Sequence, residues 1–233
     1  MNKEIQLEKY DESFFQLQSV NEKKKNAALV ISKLVIEMCD NINSVVDIGC
    51  GIGVWPTAFS NHGVTTAHGV DGNYISKDYL LLKGANFYER DLRERISLDR
   101  TYDLACSLEV AEHLPPSRAL TFVQDLTQLA PVVLFSAAIP GQGGENHVNE
   151  MWQHHWARLF NTFNFKAVDF IRPIVWSMTE LQVCYRQNTI LYVHESVLEK
   201  NAKLKQAEEK TNEAMLPLVH PRTLVRLQKQ WKA

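Results

Sequence analysis

One stretch decides the fold of this 233-residue chain: Val46-Asp47-Ile48-Gly49-Cys50-Gly51-Ile52-Gly53. A short β-branched run, 44–48, leads into it, and glycines then stand at every second position. Glycine suits a backbone that turns sharply and comes close to a ligand. A helix-like segment follows to Asn61, and the free N–H groups at its start would face the same point. The pattern predicts a strand, a turn and a helix around a small ligand.

Two further acids follow the next two predicted strands, 65–70 and 85–89. Asp71 can accept both hydroxyls of a ribose. Asp91 can accept an adenine amino group. Taken singly, these acids could be helix caps or surface turn residues. As an ordered set beside the glycine turn, they favour ligand binding at the carboxyl ends of the strands.

The spacing of the glycines in the turn distinguishes a dinucleotide site from other ligand sites. The dinucleotide pattern GxGxxG needs a glycine where this chain has Val54. The spacing here is DxGxGxG instead, which argues against an NAD-dependent oxidoreductase.

Strands and helices alternate along the rest of the chain. Continuous apolar runs predict strands buried on both faces of a parallel sheet. These runs are 102–107, 132–137, 165–171 and 189–194. We expect an N-terminal helical arm or lid over 1–40, containing Tyr10, Phe14 and Phe15, a central domain over 41–197, and a charged helix with a C-terminal tail over 198–233. The tail would pack back on the body or contact another subunit.

Composition excludes several classes of protein. Apolar residues make up 45% and the formal net charge is −2, so the basic excess of a nucleic-acid binder is missing. No apolar run is long enough to cross a membrane. The four cysteines are scattered and no signal peptide is evident, so we expect a cytoplasmic protein with reduced thiols.

These motifs together resemble those of the class I S-adenosylmethionine (SAM)-dependent methyltransferases. The likeness rests on the glycine turn, Gly69-Val70-Asp71, Arg90-Asp91-Leu92 and 102–109. It implies a Rossmann-like α/β fold, with a mostly parallel seven-stranded sheet of order 3-2-1-4-5-7-6 and helices on both faces. It also implies SAM contacts, which would come from Asp47, Gly49, Gly51, Gly53, Asp71, Asp91, Leu92 and Leu108.

The acceptor side begins with Glu109-Val110-Ala111-Glu112-His113. In one helical turn the two carboxylates and the imidazole would share a face. Carboxylates favour Mg²⁺ or Mn²⁺, and the imidazole admits Zn²⁺. The ExxEH pattern resembles metal-dependent O-methyltransferases of ubiquinone synthesis and of small-RNA 3′ ends, in which a later histidine completes the site. His147 is that candidate here, and His154 or His155 could substitute.

Two alternatives to the metal remain. His113 could contact the substrate or act as a base, together with His147, or the Glu-His pair could be purely structural. The glycine loop 139–144 and the aromatic cluster after it add Glu150, Trp152 and His154 as candidate acceptor contacts. This region resembles methyltransferases of bacterial sugar and secondary-metabolite pathways.

The sequence therefore predicts methyl transfer from SAM to a hydroxyl of a small polar acceptor, with a divalent metal as a candidate cofactor. The alternatives are an N-methyltransferase, an RNA 3′-end methyltransferase and a non-catalytic binding module. The last is disfavoured because no cofactor residue is lost. We expect no nucleic-acid or membrane partner, and a homodimer is one possible assembly.

Overall fold

The computed structural model describes residues 21–75, 77–82 and 86–230. The predicted aromatic residues Tyr10, Phe14 and Phe15, and Trp231 of the tail, lie outside them. The strands are β1 Ser44–Ile48, β2 Thr66–Asp71, β3 Phe87–Glu89, β4 Leu104–Leu108, β5 Val132–Ser136, β6 Phe165–Val168 and β7 Ile190–His194. The helices are α1 Glu22–Met38, α2 Val54–Asn61, α3 Ala119–Leu129, α4 Gln153–Asn161, α5 Ile171–Val175, α6 Val183–Asn188, α7 Glu195–Leu198, α8 Ala202–Glu209 and α9 Pro221–Gln230.

The seven strands form one sheet of order β3-β2-β1-β4-β5-β7-β6. β7 runs antiparallel to both of its neighbours, and the other pairings are parallel. The predicted fold class and strand order are therefore confirmed. Parallel pairing places the carboxyl ends of β1, β2, β4 and β5 at one edge of the sheet, where such folds bind ligands.

Helices cover both faces of the sheet because its central strands are apolar on both sides. Every residue of β4 and β5 is buried. On one face the strands share a core with residues of α1, α2, α5 and α8. On the other face they pack against α3 and α4, including the predicted core residue Trp156, which is 1% exposed.

The region before the last strand differs from the prediction. The expected strand 165–171 ends at Val168, and Ile171 begins α5 instead. Pro173 explains this difference, since it lacks the N–H that a sheet ladder needs but fits the first turn of a helix. Arg172 also pairs with Asp169 at 2.6 Å, which fixes the chain where it leaves the sheet.

The C-terminal segment packs back on the body. Leu216 is fully buried, and α9 follows it. On α9, Leu224 is 48% exposed, whereas Thr223 is buried. No helix in the described ranges has the length and apolar character needed to cross a membrane.

Candidate active site

The glycine turn takes a backbone shape that only glycine adopts easily. Gly49, Gly51 and Gly53 have φ values of 83°, 55° and 88°, all in the left-handed region. Space is equally restricted, because a Cβ at Gly49 would lie 2.4 Å from Cγ2 of Val110. α2 begins directly after Gly53, with no side chain capping its first turn. Its N-terminus is therefore open to a ligand.

Asp71 ends β2 and is tied to the glycine turn. Its carboxylate accepts hydrogen bonds from the N–H groups of Gly51 and Gly72, each at 2.7 Å, and from the hydroxyl of Tyr74 at 2.5 Å. Burial raises the pKa of Asp71, and these three donors oppose that rise. The structure thus brings Asp71 to the turn. A ribose hydroxyl would take the place that Tyr74 now holds.

Asp47 has a different environment at the end of β1. It is 1% exposed, and neither carboxylate oxygen accepts a hydrogen bond from the described residues. Burial raises its pKa to about 8, although the positive charge of Lys24 partly opposes the shift. A buried acceptor without a donor costs about 1–3 kcal/mol. A ligand that carries a donor or a positive charge would remove this cost.

The remaining predicted cofactor residues lie in different surroundings. Asp91 is an exposed residue whose carboxylate pairs with Arg93 at 2.6 Å. Leu92 is nearly buried, and its carbonyl accepts from Nε of Arg118 at 3.2 Å. Leu108 is buried at the end of β4. Asp91 therefore has to exchange its partner before it can accept from an adenine.

The expected single helical turn over 109–113 is wrong. Glu109 has a φ of 58°, and only Ala111–His113 form a short 3-10 turn. Glu109 is held elsewhere, because its carboxylate accepts from the amides of Gln142 at 2.8 Å and Asn188 at 3.1 Å. The structure does not place Glu109 with the other candidate metal ligands.

Glu112, His113 and His147 do come together. One ligand atom from each lies within 4.8 Å of the others. His147 reaches this position because the backbone N–H groups of Val148 and Asn149 donate to the carbonyl of Glu112 at 2.9 and 3.0 Å. The rings of His113 and His147 then meet edge to face, with centroids 4.8 Å apart.

Burial sets the protonation of this cluster. Glu112 is fully buried, and its carboxylate oxygens have no hydrogen-bond partner within the described ranges. Burial, and then the nearby charge of Glu109, raises the pKa of Glu112 well above its usual range. Burial, and then His147, lowers the pKa of His113 to about 4. Without a ligand, the imidazole of His113 is neutral at pH 7.

Glu150 is tied to the protein and lies outside the cavity lining. Its carboxylate accepts from the N–H groups of Gly141 at 2.7 Å and Gly143 at 2.8 Å, and it pairs with Nδ1 of His147 at 2.9 Å. A carboxylate in this position orients an imidazole and leaves Nε2 for a ligand. The predicted contacts Trp152 and His154 also lie outside the lining of the cavity; Trp152 precedes α4 and is 36% exposed.

A cavity of about 240 Å³ opens beside the cluster. Sequence reasoning found four of its lining residues, Glu109, Glu112, His113 and His147. The glycine loop, also predicted on the acceptor side, adds Gln142 and Gly143. Sequence reasoning missed the residues from α6 with its N-cap and from α9: Gln182, Val183, Cys184, Tyr185, Thr223 and Arg226. The only feature of the sequence that could have indicated these residues is the polar side of the C-terminal tail, which carries Thr223 and Arg226.

Tyr185 connects the cavity to the glycine turn. It lines the cavity and packs edge-on against Trp55 in the first turn of α2, with ring centroids 5.2 Å apart. A ligand on the turn and a molecule in the cavity would therefore be neighbours.

Comparison with known proteins agrees with this geometry. A family model described as a methyltransferase domain matches residues 17–162, more than half of the chain. The chain therefore belongs to this methyltransferase family. A search of curated proteins finds no match.

Solved structures share the fold. DesVI of Streptomyces venezuelae is 12% identical, with a TM-score of 0.58, over 82% of this chain and 100% of that one. The sugar N-methyltransferase KedS8 of Streptoalloteichus sp. ATCC 53650 is 11% identical, with a TM-score of 0.57, over 78% and 91%. Magnesium protoporphyrin IX methyltransferase of Synechocystis PCC 6803, solved with bound SAM, is 16% identical, with a TM-score of 0.51, over 84% and 86%. Together, family and fold identify a class I SAM-dependent methyltransferase.

Proposed function

We propose that this methyltransferase holds SAM against the glycine turn and methylates a hydroxyl of a small polar acceptor, such as a sugar or a secondary metabolite, in the adjoining cavity. The contact between Trp55 and Tyr185 carries the proposal, because it makes the turn and the polar cavity neighbours. Methyl transfer from a sulfonium chiefly requires alignment of nucleophile, methyl group and sulfur.

The donor side fits the shape and charge of SAM. The ammonium of its methionine part would offer the missing donor to Asp47, whose buried oxygens have none. Gly49, Gly51 and Gly53 allow the cofactor to approach the backbone. The ribose hydroxyls would bind Asp71. Adenine would bind beyond it, near Asp91, Leu92 and Leu108, as the resemblance to class I methyltransferases implies.

The acceptor side offers a base. An alcohol must lose its proton as the methyl group arrives, and a positioned imidazole can take it. His113 is neutral at pH 7 and can therefore accept a proton, although its pKa of about 4 makes it a weak base. His147 is the second candidate, since Glu150 holds its Nδ1 and fixes the ring.

As the alternative to a histidine base, we propose that Glu112, His113 and His147 hold a divalent cation. The unpartnered, buried oxygens of Glu112 fit this role, because a cation would favour the ionised carboxylate that burial disfavours. Two imidazoles and one carboxylate favour Zn²⁺, with Mg²⁺ or Mn²⁺ as alternatives. A bound cation would supply polarisation of the acceptor oxygen. Glu109, bonded to two amides, is not in this set.

An amine is the second candidate acceptor. Glu109 and Glu112 place two carboxyl groups on one cavity, which favours a positively charged group there. KedS8, a structural neighbour, is described as a sugar N-methyltransferase.

Calorimetry with SAM tests the donor side, and Asp47→Asn should bind it more weakly than the wild type. Undetectable SAM binding by the folded wild-type chain would contradict the proposal. The acceptor side is tested by SAM turnover on matched alcohols and amines, with and without a chelator. Preference for the amines would favour the second candidate. Activity that survives exhaustive chelation would remove the metal and leave His113 or His147 as the base.

A further inference from the structure

Three arginines lie along the side of the cavity formed by α6 and α9, and we call them the arginine rim: Arg186, Arg222 and Arg226. Arg226 lines the cavity directly. Arg222 stands one helical turn earlier on α9, so it lies on the same side of that helix. Arg186 lies behind the lining residues on α6 and is linked to α9 through the carbonyl of Trp176. That carbonyl also lies 3.0 Å from Nε2 of His220, whose Nδ1 accepts from the N–H of Arg222 at 3.2 Å. Of the three arginines, only Arg226 is part of the cavity lining itself.

Arg186 is a buried cation with unused donors. It is 1% exposed, and the only hydrogen bond of its side chain within the described ranges runs from Nη1 to the carbonyl of Trp176 at 3.0 Å. Its Nε and Nη2 are buried without a partner. Arg172 shows the usual arrangement in the same fold: it is equally buried, but its guanidinium makes a two-point pair with Asp169 at 2.8 and 2.6 Å.

Arg186 has a second arginine, Arg222, within electrostatic range. Burial lowers the pKa of Arg186, and the neighbouring charge of Arg222 lowers it further. Glu180 opposes this effect, but it forms no ion pair with Arg186 among the described residues. His220 shares the carbonyl of Trp176 at 3.0 Å. A guanidinium with free Nε and Nη2 presents the fork that binds a carboxylate or phosphate at two points.

The opposite side of the cavity carries the carboxyl groups of Glu109 and Glu112, and burial favours the neutral form of Glu112. Glu109 and Glu112 lie at the carboxyl end of β4, while Arg226 and Thr223 face the cavity from α9. Arg226 now donates to the carbonyl of Gln142 in the glycine loop. An entering anion would compete for this donor and draw α9 towards itself. An acceptor that fills the cavity would therefore be reactive at one end and anionic at the other.

We propose that the arginine rim binds an oxyanion, a phosphate or carboxylate group, carried by the methyl acceptor. The role of this anion as part of the acceptor rests on the proposed function. Anion binding itself does not, because it requires neither SAM nor methyl transfer. The site would select phosphorylated or acidic acceptors over neutral ones of the same shape.

The first test titrates the full chain with inorganic phosphate and then with acetate, by calorimetry at constant ionic strength. We expect saturable binding that weakens about tenfold in Arg226→Gln and in Arg222→Gln, as loss of a charged hydrogen bond implies. Arg158→Gln, an exposed arginine on α4, is the matched control and should bind as the wild type does. Arg186→Lys keeps the charge but loses the fork, so it should also bind more weakly.

The result does not depend on the proposed function. Binding that is absent, or that survives all three rim substitutions, would overturn the inference even if SAM binds normally. Phosphate binding that persists while SAM binding fails would leave the rim intact and remove the proposed function. Equal loss of SAM affinity in the rim variants would reassign the arginines to the cofactor carboxylate and overturn the inference.

The second test measures methylation of a hexose and of its phosphate ester. We expect a lower KM for the ester than for the hexose, and Arg226→Gln should raise the KM of the ester about tenfold, so that the ratio of the two KM values falls. Inorganic phosphate should compete only with the ester. Equal use of both acceptors by the wild type would contradict the inference. So would a single-stranded RNA that binds the rim more tightly than the ester does.

Discussion

The two halves of the site are built in different ways. The donor half comprises residues 47–53 and Asp71. It depends on the left-handed backbone conformation of the glycines, and the glycine turn is one motif that is continuous along the chain. The acceptor half, the cavity, takes its lining from β4, the glycine loop, α6 and α9, which are far apart in sequence. The donor half serves a cofactor common to the family. The acceptor half is assembled from segments that meet only in the folded chain, and we expect it to determine which acceptor is methylated.

The largest expected effect falls on the acceptor half. His113→Ala should lower the turnover number by about 10²–10⁴, because it removes the neutral imidazole at the reacting position. SAM affinity should change little, since His113 belongs to the other half. Steady-state kinetics and calorimetry on the same preparation separate the two quantities. A variant that loses SAM affinity instead would show that the two halves are not separate.

The donor half should respond through stability and cofactor affinity together. Gly49→Ala places a Cβ against Val110 at a φ of 83°, and we expect it to lower the free energy of unfolding by about 2–5 kcal/mol and to weaken SAM binding. Gly63→Ala is the matched control, because its φ is 92° and a Cβ there meets nothing within 4 Å. Urea unfolding should show a clearly smaller loss for Gly63→Ala. Equal losses of unfolding free energy in the two variants would mean that backbone strain at positive φ accounts for the effect and that overlap with Val110 adds nothing.

A smaller effect should follow from the residue that positions His147. Glu150→Gln should lower activity by about 10–100-fold, because it weakens the bond that orients the ring. Glu150→Asp, which keeps the charge, should recover part of the activity. If Glu150 instead contacts the acceptor, its loss will change acceptor preference; the kcat and KM values for two acceptors distinguish these roles.

Asp47 should make the free protein less stable as the pH rises. Its pKa is raised to about 8 in the folded chain, so between about pH 4 and pH 8 the folded state holds a proton that the unfolded state has lost. Stability from this group is present at low pH and is lost as the pH rises through that window. Asp47→Asn should therefore stabilise the free protein by about 1–2 kcal/mol at pH 8 and by less at pH 5.

Thermal unfolding at both pH values, with and without SAM, measures this effect. With SAM bound, the wild type should be the more stable of the two proteins, because the carboxylate of Asp47 binds the ammonium of SAM better than an asparagine amide does. A variant that is less stable than the wild type at pH 8 without SAM would contradict the description of Asp47 as an unpaired buried acid.

The smallest effect concerns the adenine end. Arg93→Ala removes the exposed partner of Asp91, and an exposed pair of this kind contributes about 0–1 kcal/mol. If Asp91 accepts from adenine, the variant should bind SAM equally or slightly more tightly, as calorimetry would show. Asp91→Ala should bind SAM more weakly, and an unchanged affinity would remove Asp91 from the cofactor site.

The sequence predicted the conformation of the donor half well because its determinants are local, while its binding role stays a prediction. Gly49, Gly51 and Gly53 report a backbone conformation directly, and strand order places Asp71 beside them. The acceptor half was predicted only in part. The spacing of Glu109, Glu112 and His113 suggested one helical face, but the left-handed conformation at Glu109 turns it towards Gln142 and Asn188.

The other missed residues lacked any local signal. Tyr185 and Arg226 reach the cavity only because α6 and α9 fold over the end of β4, which depends on contacts between distant segments. Glu150 is a residue type that often contacts substrates. Its carboxylate is instead hydrogen-bonded to the N–H groups of Gly141 and Gly143 and to the ring of His147. Such partners become visible only once the loop is folded.

The central claim is that the glycine turn and the cavity are two halves of one reaction site. A crystal structure with S-adenosylhomocysteine, the product of methyl transfer from SAM, tests it most directly. The account predicts ribose hydroxyls on the carboxylate of Asp71, an amino group at Asp47, and a sulfur atom that faces the cavity beside Tyr185. A cofactor bound away from the turn, or one whose sulfur faces away from His113 and His147, would contradict it.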